Sequence, residues 1–208
     1  MDNFSRKEHW EKIYSTKSVH ELSWFQEYPR TSIEFISNLK LTKTAKIIDV
    51  GGGDSTLVDI LLEKGYTNLY VLDISAHALD RAKERLGKDA KRVNWIVSDI
   101  TEFETETKFD LWHDRATFHF LTNNYEITKY LNIARNNIVK GGYMILATFS
   151  EKAPKTCNGL NVKQYSETRM NDKLRDGFEK IRCMEEEHIT PFNTCQNFLF
   201  CSFRRKEK

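Results

Sequence analysis

Short apolar segments alternate with amphipathic helical ones from Lys46 to Phe149, and two strand-like segments follow too close together for a helical crossover. Together these observations predict an α/β fold: a doubly wound, mostly parallel seven-stranded sheet with an antiparallel C-terminal strand. A third observation, three glycines where the first apolar segment ends, marks the sheet edge at which such folds bind ligands.

The elements follow in order. Ser5 and Glu8 stand at capping-box spacing, predicting a short helix that carries Trp10 and Tyr14. After a polar loop and Trp24-Phe25-Gln26, a second helix is expected over residues 31–39. Residues 1–45 then read as a helical flap over a core of residues 46–208, the whole forming a single domain. KIIDV (46–50) is the first strand, and a helix over 55–64 exits at Gly65. NLYVLD (68–73) is the second strand. Ser75 caps a helix whose Ala78, Leu79, Ala82 and Leu86 recur at helical spacing, and Gly87 ends it. Strands are expected at 92–99 and 109–114, a long helix over 122–139 closed by Gly141-Gly142, and a fifth strand at 143–149. A helix near 166–175 leads to strand-like segments 178–188 and 195–204. The six residues between these two make them antiparallel neighbours.

Composition narrows the function classes. A net charge of +2, from 32 basic and 30 acidic residues, offers no strong field for nucleic acid. No apolar run suits a membrane span or a secretory leader, so a soluble cytoplasmic protein is expected. Cys157, Cys183, Cys195 and Cys201 show no CxxC pair, which reads as reduced thiols with no metal site.

The informative motif is IIDVGGGDS (47–55), a strand, a turn of Gly51, Gly52 and Gly53, and a helix start. Bare backbone admits a ligand closely, and the helix N-terminus offers unpaired N–H groups. Asp49, at the strand end, suits ordering the turn or meeting a cationic ligand through water. Asp73 ends the second strand, 20 residues after Gly53, where a carboxylate accepts from both hydroxyls of a ribose; a capping Asp is the other reading. Ile74 follows it. Asp99 ends the third strand in the sequence SDI, placed to accept from an adenine amino group while Ile100 packs on the ring; an ordinary loop acid is its alternative. A nicotinamide dinucleotide fits less well, because Thr56 stands where GxGxxG needs its last glycine.

DVGGGDS, VLDIS, SDI and GGYMILATF, with the terminal hairpin, resemble the ordered motifs of class I methyltransferases dependent on S-adenosylmethionine (SAM). The resemblance covers about residues 46–204 and implies a Rossmann-like fold, SAM as cofactor and S-adenosylhomocysteine (SAH) as product. It implies that Gly51 and Gly53 lie against the methionyl part, Asp73 against the ribose and Asp99 against the adenine. Gly52 stands where that family more often has another residue. The N-terminal HWEKIYSTKSVHELSWFQ is similar to a narrower group that includes thiopurine and protein-lysine methyltransferases. That likeness implies that Trp10, Tyr14, Trp24 and Phe25 close over the cofactor. Aromatic faces attract a sulfonium, although Trp10 and Tyr14 suit a small core under the flap equally well.

The methyl acceptor is expected near WHDRATFHF (112–120), which leaves the fourth strand at the ligand edge. His113 is a candidate base or a flank of the methionyl group. Asp114 is a candidate for pairing with Arg115 or receiving a substrate amine, and His119 reads as packed on an apolar face. The acceptor is open between a protein side chain, lysine included, and a small molecule. A nicotinamide-dependent oxidoreductase and a non-catalytic SAM-binding protein are the competing functions.

Overall fold

The computed structural model describes residues 4–207. Seven strands form one sheet: β1 (Lys46–Val50), β2 (Asn68–Asp73), β3 (Val93–Val97), β4 (Phe109–Arg115), β5 (Ile138–Phe149), β6 (Phe178–Ile189) and β7 (Cys195–Arg205). Their order is β3-β2-β1-β4-β5-β7-β6. The pairs among β1 to β5 are parallel, while β7 pairs antiparallel with both β5 and β6. The order reverses between β1 and β4, the topological switch point at which open α/β sheets bind ligands.

Helices α1 (Arg6–Thr16), α2 (Arg30–Asn38), α3 (Leu57–Glu63), α4 (Ala76–Leu86), α5 (Asn124–Asn137) and α6 (Glu167–Leu174) cover the sheet. Side chains alternate across a strand, so neighbouring residues enter opposite cores. Ile47, Leu111 and Ile145 pack with Phe35 and Leu61 in one apolar cluster. Their neighbours Ile48, Trp112 and Leu146 pack with Tyr130 and Met170 in the other. Both faces are dry, which is why these strands read as continuous apolar runs.

Two expectations needed correction. Gly141-Gly142 does not close the long helix: α5 ends at Asn137 and β5 starts at once with Ile138. The glycines sit inside β5, where Gly141 takes φ +73° beside a shift in the β4–β5 register. They therefore form a bulge, a use of glycine that sequence spacing does not separate from a helix stop. The four cysteines are not all thiols either. Cys183 and Cys201 are directly opposed on β6 and β7 and form a disulfide, leaving Cys157 and Cys195 free. Linear spacing hides a pair that only the antiparallel register brings together.

The flap is tied down at defined points. Ser5 caps α1 by accepting the Glu8 N–H. Glu11, from α1, accepts from the Ala76 and His77 N–H groups and the Ser75 hydroxyl at the start of α4. Burial raises that carboxyl, but the bonds from Ala76, Ser75 and His77 outweigh it and bring the group down to about 2. Arg81 of α4 reaches back to the Tyr14 and Lys17 carbonyls. The Thr56 hydroxyl donates to the Gln26 and Glu27 carbonyls, fixing the second half of the flap. Among the described residues, no helix is long and apolar enough to cross a membrane.

Candidate active site

A crevice follows the carboxyl edge of the sheet, and the strand order decides what lines it. From β3 it passes β2, β1, β4 and β5 to the start of β7, whose antiparallel direction brings its first residues to this same edge.

At the β2–β3 end the lining is Leu72, Asp73, Ile74, Ser98, Asp99 and Ile100. Asp73 is buried; its Oδ1 accepts the Ser75 N–H at 2.9 Å. Burial first, and then the nearby carboxylates of Asp54 and Asp49, push it up to about 7, against bonds from Ser75 and Gly53. No described Lys, Arg or His forms an ion pair with Asp73. Asp99 orders its own loop, its Oδ1 accepting from the Thr101 N–H and hydroxyl, both at 2.8 Å. Its Oδ2 takes Arg6 at 3.0 Å, and Arg6 also binds Glu126. Sequence carried no signal for that clasp from α1, since 93 residues separate its partners.

In the middle lies the glycine turn. Gly51 and Gly53 take φ of +67° and +50°, the region glycine adopts without strain. The first demand on these bare positions comes from the protein itself. A Cβ on Gly51 would meet Thr117 Oγ1 at 1.6 Å, and one on Gly52 would meet Asp49 Oδ2 at 2.7 Å. Gly53 packs under the Tyr14 hydroxyl. Gly51 lines the crevice, whereas Gly52, Asp49 and His113 line a smaller adjoining recess shared with Trp24 and Arg115.

That recess explains Asp49 and His113. His113 Nδ1 meets Asp49 Oδ1 at 2.7 Å, and Nε2 meets Ser32 Oγ at 2.9 Å. With both ring nitrogens engaged and 2% of the side chain exposed, His113 ties β1 to β4 and α2 and has no open lone pair for base work. Asp114 is fully buried too. It accepts from the Thr117 and Phe118 N–H groups and, at 2.6 Å, from the Tyr130 hydroxyl, which itself accepts from Trp112 Nε1. It holds the loop after β4 and does not line the crevice. The expected Asp114–Arg115 pair is not formed, because the two side chains leave β4 on opposite faces.

The β4–β5–β7 end holds Arg115, Thr117, His119, Phe120, Phe149 and Phe198. Ala116 takes φ +73°, a strained conformation for alanine that folds the chain sharply after β4. Arg115 Nη1 donates to the Trp24 carbonyl at 2.9 Å, and the guanidinium lies over the Phe198 ring at 4.6 Å. Burial lowers its pKa to about 10 despite the charges of Glu186 and Asp49. His119 is packed, as expected, yet also lines the crevice. Its Nδ1 accepts the Phe149 N–H at 3.0 Å, and burial with Arg115 nearby pushes it down to about 3. Gln196 and Cys157 complete this end. The flap roofs the crevice with Trp10, Tyr14 and Trp24, in edge contacts of Trp10 with Trp24 at 5.7 Å and with Phe120 at 5.0 Å. Trp10 and Tyr14 line the crevice and also pack on Ile13, Leu22 and Ala78. Phe25 reaches only the recess.

Comparison with known proteins bears on this geometry. A family model described as "Methyltransferase domain" matches residues 41–194. The chain is 30% identical over 152 residues to malonyl-[acyl-carrier protein] O-methyltransferase 1 of Ilyobacter polytropus, covering 72% of this chain and 52% of that one. It spans only about half the length of the first curated relatives it matches. Identity to EEF1A lysine methyltransferase 2 of Danio rerio is 24% over 191 residues, 85% of this chain and 76% of the relative. Among solved structures, a SAM-dependent methyltransferase from Anabaena variabilis superposes with a TM-score of 0.76 at 14% identity, covering 98% of this chain and 96% of that one. The N-methyltransferase NodS from Bradyrhizobium japonicum, in complex with SAH, gives 0.66 at 18% identity over 88% and 90%. Strand order, edge crevice and the family match agree, and the chain belongs to the methyltransferase domain family.

Proposed function

We propose that this chain transfers the methyl group of SAM to a protein side chain or a small-molecule nucleophile. The observation that carries the reading is Asp73: a buried acid at the end of β2, without a cationic partner among the described residues, lining the crevice at the carboxyl edge of the sheet. Such a group needs donors, and two ribose hydroxyls supply them.

The residues fit the cofactor in order along the edge. Asp99 would accept from the adenine amino group by sharing or releasing the Arg6 contact, with Ile74 and Ile100 against the ring. Gly51 and Gly53, with Asp49 ordering the turn, would border the methionyl part, and Trp10, Tyr14 and Trp24 would face the sulfonium. When bound, SAM supplies an electrophilic methyl group. The protein's own part is to align the acceptor and exclude water, which the aromatic roof suits. His113 and Asp114 serve as positioning groups in this reading.

The nicotinamide alternative loses ground at Thr56. That side chain, where the last glycine of the fingerprint would stand, is committed to the flap carbonyls. A cytoplasmic location is part of the proposal and rests on composition alone. Calorimetry with SAM, SAH and NAD tests the reading. Micromolar SAM and SAH binding without a response to NAD is expected, and NAD binding without SAM binding would overturn it. Radiolabel transfer from SAM into a cell extract then separates an enzyme from a protein that only binds the cofactor.

A further inference from the structure

The β4–β5–β7 end of the crevice carries a polar arrangement that the cofactor reading does not use. Nη1 of Arg115 is bound to the Trp24 carbonyl, while Nε and Nη2 are buried without a partner in the structure. Those two atoms form one edge of the guanidinium, the fork that matches the two oxygens of a carboxylate. Beside it, His119 accepts through Nδ1, so in its neutral form the proton sits on Nε2, and that donor is also buried and unpartnered. Gln196 donates to Ser23 and leaves its Oε1 unsatisfied. Buried donors lacking partners are costly, and the two residues that carry these three, Arg115 and His119, line the crevice together with Phe120, Phe149 and Phe198.

Among the described residues, His113, Asp114, His119 and Cys157 are not placed to remove a proton at this end. His113 and Asp114 are committed at every side-chain polar atom. His119 presents N–H rather than a lone pair. Cys157 is buried, which raises its thiol and keeps it protonated. A lysine ammonium must lose a proton before it can accept a methyl group, and a fixed guanidinium repels it besides. An acceptor already anionic at neutral pH needs neither remedy.

Resting on the cofactor reading above, we propose that Arg115, with His119 Nε2–H, forms an acceptor subsite for a carboxylate attached to an apolar body, and that this carboxylate is the methylated group. One carboxylate oxygen forms a bond to the methyl carbon as the carbon–sulfur bond breaks, and the electron pair stays on sulfur. The products are a methyl ester and SAH, and no proton moves.

A carboxylate at Arg115 has two sources, the acceptor and the methionyl end of the cofactor, and the test separates them. Protein saturated with SAH is titrated with 3-phenylpropanoate, 3-phenylpropanamide and 3-phenylpropylamine. The carboxylate should bind at least tenfold tighter than the amide, with the amine weakest. Arg115→Met should abolish that preference and leave SAH affinity within threefold. A tenfold loss of SAH affinity in Arg115→Met would assign the fork to the cofactor and overturn the proposal. So would wild-type protein that binds SAH but shows no carboxylate preference, a result that needs no variant to fold. Failure of SAH itself to bind would instead sink the cofactor reading and this one with it. As a second readout, label transferred from SAM into extract should be released as volatile methanol by mild alkali; alkali-stable label would mean N- or S-methylation and overturn the proposal.

Discussion

Replacing Asp73 with asparagine should strengthen the fold while weakening the site, and pH sets the size of the first effect. The carboxyl is 6% exposed and faces Asp54 and Asp49 rather than a cation. Burial, reinforced by those carboxylates, holds it near about 7 against the usual 3.8. Well below pH 3.8 the acid is neutral in folded and unfolded chains alike, so it costs nothing. As pH rises from about 4 to 7 the unfolded chain ionises first and the folded state loses ground, by up to about 4 kcal/mol above pH 7. Asparagine keeps a carbonyl for the Ser75 N–H and never ionises. Urea unfolding should therefore favour Asp73→Asn by roughly 2–4 kcal/mol at pH 8 and by about 1 kcal/mol or less at pH 4.5. SAH affinity should fall more than tenfold, since bonds to a charged acceptor are each worth ~1.5–3 kcal/mol. A stability difference that ignores pH, or SAH binding that survives the substitution, refutes the assignment.

Further outcomes follow from the same geometry. Gly51→Ala combines a left-handed φ with a 1.6 Å collision at Thr117 Oγ1 and should destabilise by roughly 2–5 kcal/mol, read by chemical unfolding; a neutral result would show that the turn re-forms. Asp114→Ala leaves the Tyr130 hydroxyl and two backbone N–H groups without their acceptor, and should cost about 3 kcal/mol, or roughly 6–12 °C in Tm. A variant of unchanged Tm that has lost methyl transfer would return Asp114 to a catalytic role. Glu11→Ala should loosen the flap by roughly 1 kcal/mol after solvent screening. Because the folded carboxyl lies near about 2, that stabilisation is present above pH 4.5 and fades as pH falls towards 2. The loss of difference between variant and wild type at low pH is the check.

Much of the fold was legible because both faces of the sheet are buried. Ile47-Ile48, Leu111-Trp112 and Ile145-Leu146 each send one side chain to either core, and no element other than a central strand needs that pattern. The hairpin followed from counting six residues, and it in turn brings Gln196 and Phe198 to the ligand edge. What escaped the sequence depends on distant partners. Asp49 left open whether it orders the turn or meets a ligand, because the sequence did not show that β4 sets His113 beside it. Cys183 and Cys201 became a pair only in the β6–β7 register. Gly141-Gly142 read as a helix stop, since a bulge and a cap ask for the same residue. At the candidate site, residue type and strand end pointed to Asp73 and Asp99, which lie on the crevice together with Arg115. They did not show that Arg6 from the flap lies on Asp99, nor that Arg115 turns away from Asp114.

Everything in this account depends on the crevice beside Asp73 holding a nucleoside with a sulfonium. Calorimetric titration of purified protein with SAH at pH 7.5, with NAD in parallel, tests that directly. One SAH per chain at micromolar Kd and no heat from NAD are expected. Heat from NAD alone, or from neither, contradicts the cofactor reading.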